Sequence, residues 1–188
     1  YLPMNGDAND KSGNNRNGSP YGGAALTTDK YDNANSAYYF TNPECGISLA
    51  NSTALDFTGQ PFAISAWVKY SNIPAADFAV VSKHNCGTPN GYLLGINNNS
   101  PRFYLCSGGS WSIISTTETY NDNKWHHLVA TYDGTGSQQL YVDGELKASA
   151  SSVVFNTSGS GAPVIIGDAN NNCSGATFSA SIDEVKIY

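Results

Sequence analysis

The chain has 188 residues, with 9 Lys and Arg against 15 Asp and Glu and a formal net charge of −6. That balance argues against nucleic acid and anionic membrane surfaces as partners, because phosphate recognition needs clustered basic side chains. A hydrophobic fraction of 40% suffices to bury a core at this length, and no run approaches the ~20 apolar residues of a membrane helix, so no insertion into a membrane is expected.

The patterning predicts strands almost throughout. Residues 1–22 read as an opening strand followed by a polar loop from Asp7 to Pro20. A strand at 36–42 precedes a loop over 43–61, within which Ile47-Ser48-Leu49 is a candidate short strand. Strands follow at 62–70, 78–84 and 91–96, then a hairpin of 101–107 and 111–116 around Gly108-Gly109. Residues 125–132, 138–143 and 145–150 form a meander whose turns carry Asp133-Gly134 and Asp143-Gly144. Asp-Gly supplies the positive φ of a type I′ hairpin turn, and Val, Tyr and Thr favour a pleated strand. Segments 163–167 and 178–188 complete an all-β chain with no sustained helical period and no internal repeat.

Alternation assigns faces. Phe62, Ile64, Ala66 and Val68 form a core set, which puts Trp67 on the opposite face. In 125–132 neither set is cleanly polar, and the core side stays open. Of the four cysteines, Cys45, Cys86, Cys106 and Cys173, none forms a C-x-x-C pair, which argues against zinc. Two disulfides in an oxidising compartment are expected. Three pairings are possible; Cys86–Cys106 is favoured because the two flank a strand pair, leaving Cys45–Cys173. Low charge with abundant Asn, Ser and Tyr suits an extracellular, secreted or cell-surface location.

Four blocks carry a family resemblance: the opening Met4-Asn-Gly-Asp-Ala-Asn-Asp10-Lys-Ser-Gly13, the strand Phe62-Ala-Ile-Ser-Ala-Trp67-Val-Lys69, the run Trp125-His-His-Leu-Val-Ala-Thr-Tyr-Asp-Gly134 with Leu140-Tyr-Val-Asp-Gly144, and the closing Ile182-Asp-Glu-Val-Lys-Ile-Tyr188. Together they resemble the LamG-like (laminin G-like, concanavalin A-like lectin/glucanase) jelly-roll domains of bacterial secreted proteins. The resemblance implies a two-sheet antiparallel β-sandwich over residues 1–188, one domain of a larger protein. It does not fix the activity, because this fold hosts enzymes, lectins and adhesion modules alike.

Glycoside hydrolysis requires two carboxylates roughly 5–10 Å apart across the scissile bond, and hydrolases of this fold carry them as E-x-D-x-x-E. Here Glu44, Glu118, Glu145 and Glu184 are scattered, and the adjacent Asp183-Glu184 pair should diverge to opposite faces. A non-catalytic domain is expected, with His126 and His127 structural. The resemblance further implies a structural Ca²⁺ joining the chain ends, with Asp183 as the main ligand and Asn5, Gly6, Asp7 and Asp10 as helpers. Calcium takes six to eight oxygen ligands, and this segment is rich in them. For a glycan partner, an aromatic platform with amide and charged side chains is needed. Trp111, Tyr104, Arg102, His84, Asp168 and Asn170 are the candidates. A protein receptor is the competing partner, as for an adhesion module.

Overall fold

The computed structural model describes residues 1–41, 44–74, 76–85, 90–155, 161–168 and 179–188, the Asn85 side chain excepted. Its strands are β1 (Gly18–Tyr21), β2 (Ala25–Thr27), β3 (Ala37–Phe40), β4 (Gly46–Leu49), β5 (Phe62–Tyr70), β6 (Phe78–Asn85), β7 (Asn90–Asn97), β8 (Ser100–Ser107), β9 (Ser110–Ser115), β10 (Trp125–Tyr132), β11 (Gln138–Val142), β12 (Glu145–Ala150), β13 (Val164–Ile166) and β14 (Ala180–Ile187). They build two seven-stranded sheets: a front sheet ordered β1-β4-β13-β6-β7-β8-β9 and a back sheet ordered β12-β11-β10-β5-β14-β3-β2. Every pairing is antiparallel. This is the two-sheet sandwich expected, a jelly roll.

Period-two alternation sorts the side chains. Ile64, Ala66 and Val68 of β5 are fully buried against Val80, Leu94, Phe103 and Ile166 of the front sheet. In β10 the structure answers the open question: Leu128, Ala130 and Tyr132 face the core, while Trp125, His127 and Val129 lie half-buried on the outer face. Full burial of one large aliphatic or aromatic side chain contributes about 1.5–3 kcal/mol, which explains why these strands hold a single register.

The tight turns behave as read, with one exception. Asp143 and Gly144 have φ of 52° and 84°, and Gly108 and Gly109 have 58° and 83°; positive φ at both central positions defines the type I′ hairpin. Asn98 and Asn99 (50° and 64°) make a third such turn between β7 and β8. Asp133-Gly134 does not. Its loop is longer, and the Asp133 carboxylate closes it by accepting the N–H groups of Thr135, Gly136 and Ser137. Further differences lie near the start. The opening strand is reduced to one bridge, Leu2 to Val185, and the expected polar loop contains β1, which pairs with β4.

Two polar clasps tie the layers. Gln138 of β11 is fully buried; its Nε2 donates to the Phe103 carbonyl, and its Oε1 accepts from Ser112 Oγ. Lys83 of β6 is 1% exposed, and its ammonium meets Asp56 Oδ1 at 2.8 Å, Asn51 Oδ1 at 2.9 Å and the Ala162 carbonyl at 2.7 Å. Three acceptors match the three N–H bonds of a buried ammonium. Cys45 and Cys106 are buried, and neither is bridged to a described residue; the expected partners Cys173 and Cys86 lie outside the described residues.

His126 is held between two carboxylates. Its Nδ1 lies 2.8 Å from Asp143 Oδ2 and its Nε2 3.0 Å from Asp122 Oδ1. Burial opposes the charged ring, but the two carboxylates outweigh it and raise the pKa above the ordinary value. In the unfolded chain the imidazole titrates near 6.5. The stabilisation is therefore fully present below that pH and is lost as pH rises through the higher folded value. Thermal melts of wild type and His126→Gln should differ most below the unfolded imidazole pKa of about 6.5 and converge as pH rises through the higher folded value; a gap that widens with pH would contradict this assignment.

Candidate functional site

The outer face of the front sheet gathers most of the sequence-predicted ligand residues. Register sets them side by side: His84 lies opposite Gly91, Gly91 opposite Cys106, and Cys106 opposite Trp111. Trp111, on the edge strand β9, is 38% exposed. Its indole meets the Tyr104 ring edge-on at 6.0 Å and the His84 ring at 5.8 Å. Tyr104, Leu93 and Ala79 make a small apolar cluster beneath. Gly91 is required in this floor: at φ +111° a Cβ would stand 1.9 Å from the Lys83 carbonyl oxygen.

The polar groups are held in place. Tyr104 donates its hydroxyl to Asp77, which also accepts Asn97 Nδ2 at 2.8 Å. Burial, then the Asp77 carboxylate, pushes the Tyr104 pKa well above its usual range. Arg102 lies beside the same hydroxyl, and its Nε is buried with no hydrogen-bond partner among the described residues. His84 is buried, which lowers its pKa and keeps the imidazole neutral at physiological pH. Asp168 sits farther along the same sheet. Its carboxylate accepts the Tyr21 hydroxyl at 2.9 Å, and its carbonyl accepts Ser82 Oγ at 3.0 Å. Tyr21 reaches it across Gly46, where a Cβ would come within 2.7 Å of the phenol oxygen. Asn170 lies outside the described residues. Trp111, Tyr104, His84 and Arg102 thus come together, while Asp168 is engaged with Tyr21 and Ser82.

Sequence reasoning missed Asp77, a lone acid before β6 with no motif around it. It also missed how much aromatic surface the back sheet shows. There Trp67 stacks on His127 at 5.0 Å, and Lys69 lies 5.9 Å from the Trp125 ring centre. The mixed alternation of 125–132 was the available signal.

The expected calcium ligands occupy the expected region with other partners. Asp10 accepts the Ser12 amide, the Ser12 hydroxyl and the Arg16 amide. Asp7 accepts the Asn9 amide and Asn9 Nδ2. Asn5 is exposed, and the Gly6 amide donates to the Asn35 carbonyl. Asp183, 2% exposed, faces Lys30 Nζ at 3.5 Å, and the same ammonium meets Glu184 Oε1 at 2.7 Å. The divergence expected for Asp183 and Glu184 does not occur. A bulge in β14, with Glu184 at φ 48°, brings both carboxylates to one cation; bulges re-aim side chains in this way. Burial raises the Asp183 pKa to about 6 against the pull of Lys30. Among the described residues no group of three His, Cys, Asp or Glu could hold a metal ion. As arranged, these donors do not fit a calcium cage, since an ammonium already fills the place beside Asp183.

Comparison with known proteins places the chain. The sequence pattern of the concanavalin A-like lectin/glucanases superfamily, laminin G type, matches residues 44–188. The chain belongs to that superfamily. No curated protein matches it by sequence. Among solved structures of this fold, the binding domain of Paraclostridial Mosquitocidal Protein 1 is similar with a TM-score of 0.77 at 18% identity, covering 96% of this chain and 45% of that one. The receptor binding domain of the botulinum neurotoxin C/D mosaic serotype is similar with a TM-score of 0.74 at 18% identity, covering 96% and 44%. The binding domain of botulinum neurotoxin DC in complex with SialylT gives 0.68 at 17%, covering 96% and 44%. The chain thus spans less than half the length of these superfamily-like domains, and at such identity the likeness is one of fold.

The Lys30 arrangement predicts that chelation with EDTA in metal-stripped buffer leaves the melting temperature unchanged. Lys30→Met, which strands two buried or half-buried carboxylates, should destabilise by about 3–5 kcal/mol in denaturant melts. A fall in melting temperature with EDTA would instead show that calcium displaces the ammonium.

Proposed function

We propose that this domain is a non-catalytic carbohydrate-binding module of a secreted or surface protein. The observation that carries the reading is Trp111: an exposed indole, braced edge-on by Tyr104 and His84, with the Arg102 guanidinium at the Tyr104 hydroxyl. A sugar ring stacks its C–H face on such a platform while neighbouring polar groups take its hydroxyls. Asp77, the carboxylate next to the platform, is committed to Tyr104 and Asn97 rather than paired with a second acid across a bond. Similar folds occur in toxin binding domains, including one described with SialylT and another, from botulinum neurotoxin type C, whose cell entry depends on two ganglioside molecules. Those ligands belong to those proteins; they support glycan recognition as a use of this fold.

A protein-contact reading is favoured by one observation, the half-buried aromatic row Trp67, His127 and Trp125 on the back sheet. The two readings separate on a glycan array. Trp111→Ala should abolish array binding, a loss of at least about tenfold, with an unchanged melting temperature. Binding untouched by Trp111→Ala would move the site away from the front sheet, and a blank array from folded protein would leave the protein partner.

Export to an oxidising compartment is part of the same proposal, with Cys86–Cys106 and Cys45–Cys173 as its disulfides. Alkylation under denaturing, non-reducing conditions should then leave all four cysteines unmodified by intact mass; four adducts would refute the pairing.

A further inference from the structure

Trp111 also lines a second feature, at the edge where the two sheets meet. The β8–β9 hairpin and the segment after β12 enclose an open cleft of about 330 Å³. Ligand sites start near about 300 Å³, so this one accommodates one or two sugar rings rather than an extended chain. Its wall mixes serine hydroxyls with apolar side chains. Ser110, Ser112, Ser151 and Ser152 line it with the indole, and no charged side chain does so among the described residues. A serine hydroxyl is both donor and acceptor, as a sugar hydroxyl is. A wall without cations offers nothing to offset the desolvation of a carboxylate.

Two further observations point to a ligand. Val154, at the cleft, is 76% exposed, the most exposed large hydrophobic side chain among the described residues. Ser152 is held at φ 61°, a left-handed conformation that costs a non-glycine residue and persists where the surroundings impose it. The hydrogen bond from the Val153 amide to the Gly136 carbonyl, at 3.0 Å, anchors this turn. The hydroxyls of Ser110, Ser151 and Ser152 bond to no described residue, whereas that of Ser112 is committed to Gln138.

We infer that this edge cleft binds an uncharged hexose, stacked on Trp111 and bounded by Val154, with its hydroxyls met by Ser110, Ser151 and Ser152. The inference rests on the carbohydrate-binding reading and assigns it a ligand class and a second wall.

The test is an amide NMR titration of the intact domain with the methyl glycosides of glucose, galactose and mannose, and in parallel with methyl glucuronide. At least one neutral glycoside should shift the amides of 110–112 and 151–154 and the Trp111 indole N–H saturably. Val154→Glu, at a site exposed enough to leave folding alone, should weaken that binding by about tenfold. Neutral glycosides that leave these amides unmoved overturn the proposal. Shifts confined to Tyr104, Leu93 and their neighbours, or undiminished in Val154→Glu, overturn the cleft while sparing carbohydrate binding. Equal binding of the glucuronide overturns the neutral ligand class.

Discussion

Phe62 is the contact on which the sandwich turns. Its ring meets five others: Phe57 stacked at 4.7 Å, Tyr92 at 5.2 Å, Phe155 at 5.6 Å, Phe103 at 6.1 Å and Tyr132 at 6.2 Å. Tyr92 and Phe103 belong to the front sheet, Phe62 and Tyr132 to the back, and Phe57 and Phe155 to connecting segments. One side chain thus fixes the separation and register of both layers. Because the side-chain period is two, a slip by one residue would exchange every inner residue for an outer one. The placement of Trp111, Tyr104 and His84 on a common outer face is the far consequence of that inner packing.

An acidic chain with 9 basic residues deploys them sparingly. Lys83 lies wholly inside, bound to Asp56, Asn51 and Ala162, and Lys30 is nearly so, bound to Asp183 and Glu184. Breaking either arrangement would leave a carboxylate poorly solvated, which costs more than the intact pair gains. These ammonium groups hold loops to strands, and Arg102 is the cation beside the Tyr104 hydroxyl. The face therefore presents rings, hydroxyls and one guanidinium, a surface chemistry suited to mostly uncharged ligands.

Much of this was legible from residue order. Alternation in 62–70 assigned the core face, and paired turn residues at Gly108-Gly109 and Asp143-Gly144 located two hairpins, because both signals are local. Trp111, Tyr104, His84 and Arg102 were gathered from strands whose order along the sheet follows the chain, β6 to β9. Signals that depend on distant partners were not legible. Strand β1 reads as loop because its pairing with β4 leaves its middle residues exposed. The convergence of Asp183 and Glu184 depends on a bulge, and their cation comes from Lys30, more than 150 positions away. Asp133 closes a loop rather than a two-residue turn because its carboxylate offers the backbone more acceptors than the tight turn would use.

Strand order also dictates when the molecule can become whole. Within the front-sheet meander β6-β7-β8-β9 each strand pairs with the next in sequence, and such local contacts form quickly. The back sheet is different: β14 is wedged between β5 and β3, so its seam joins strands more than 100 positions apart. Until β14 docks, β3 and β2 have no seam to join, Lys30 has no carboxylates to meet, and Val68 and Ile64 lack the neighbours that cover them. Before β14 docks, the back layer has a gap whose strand edges are open to unwanted pairing. Strand β14 is thus the keystone of the back sheet.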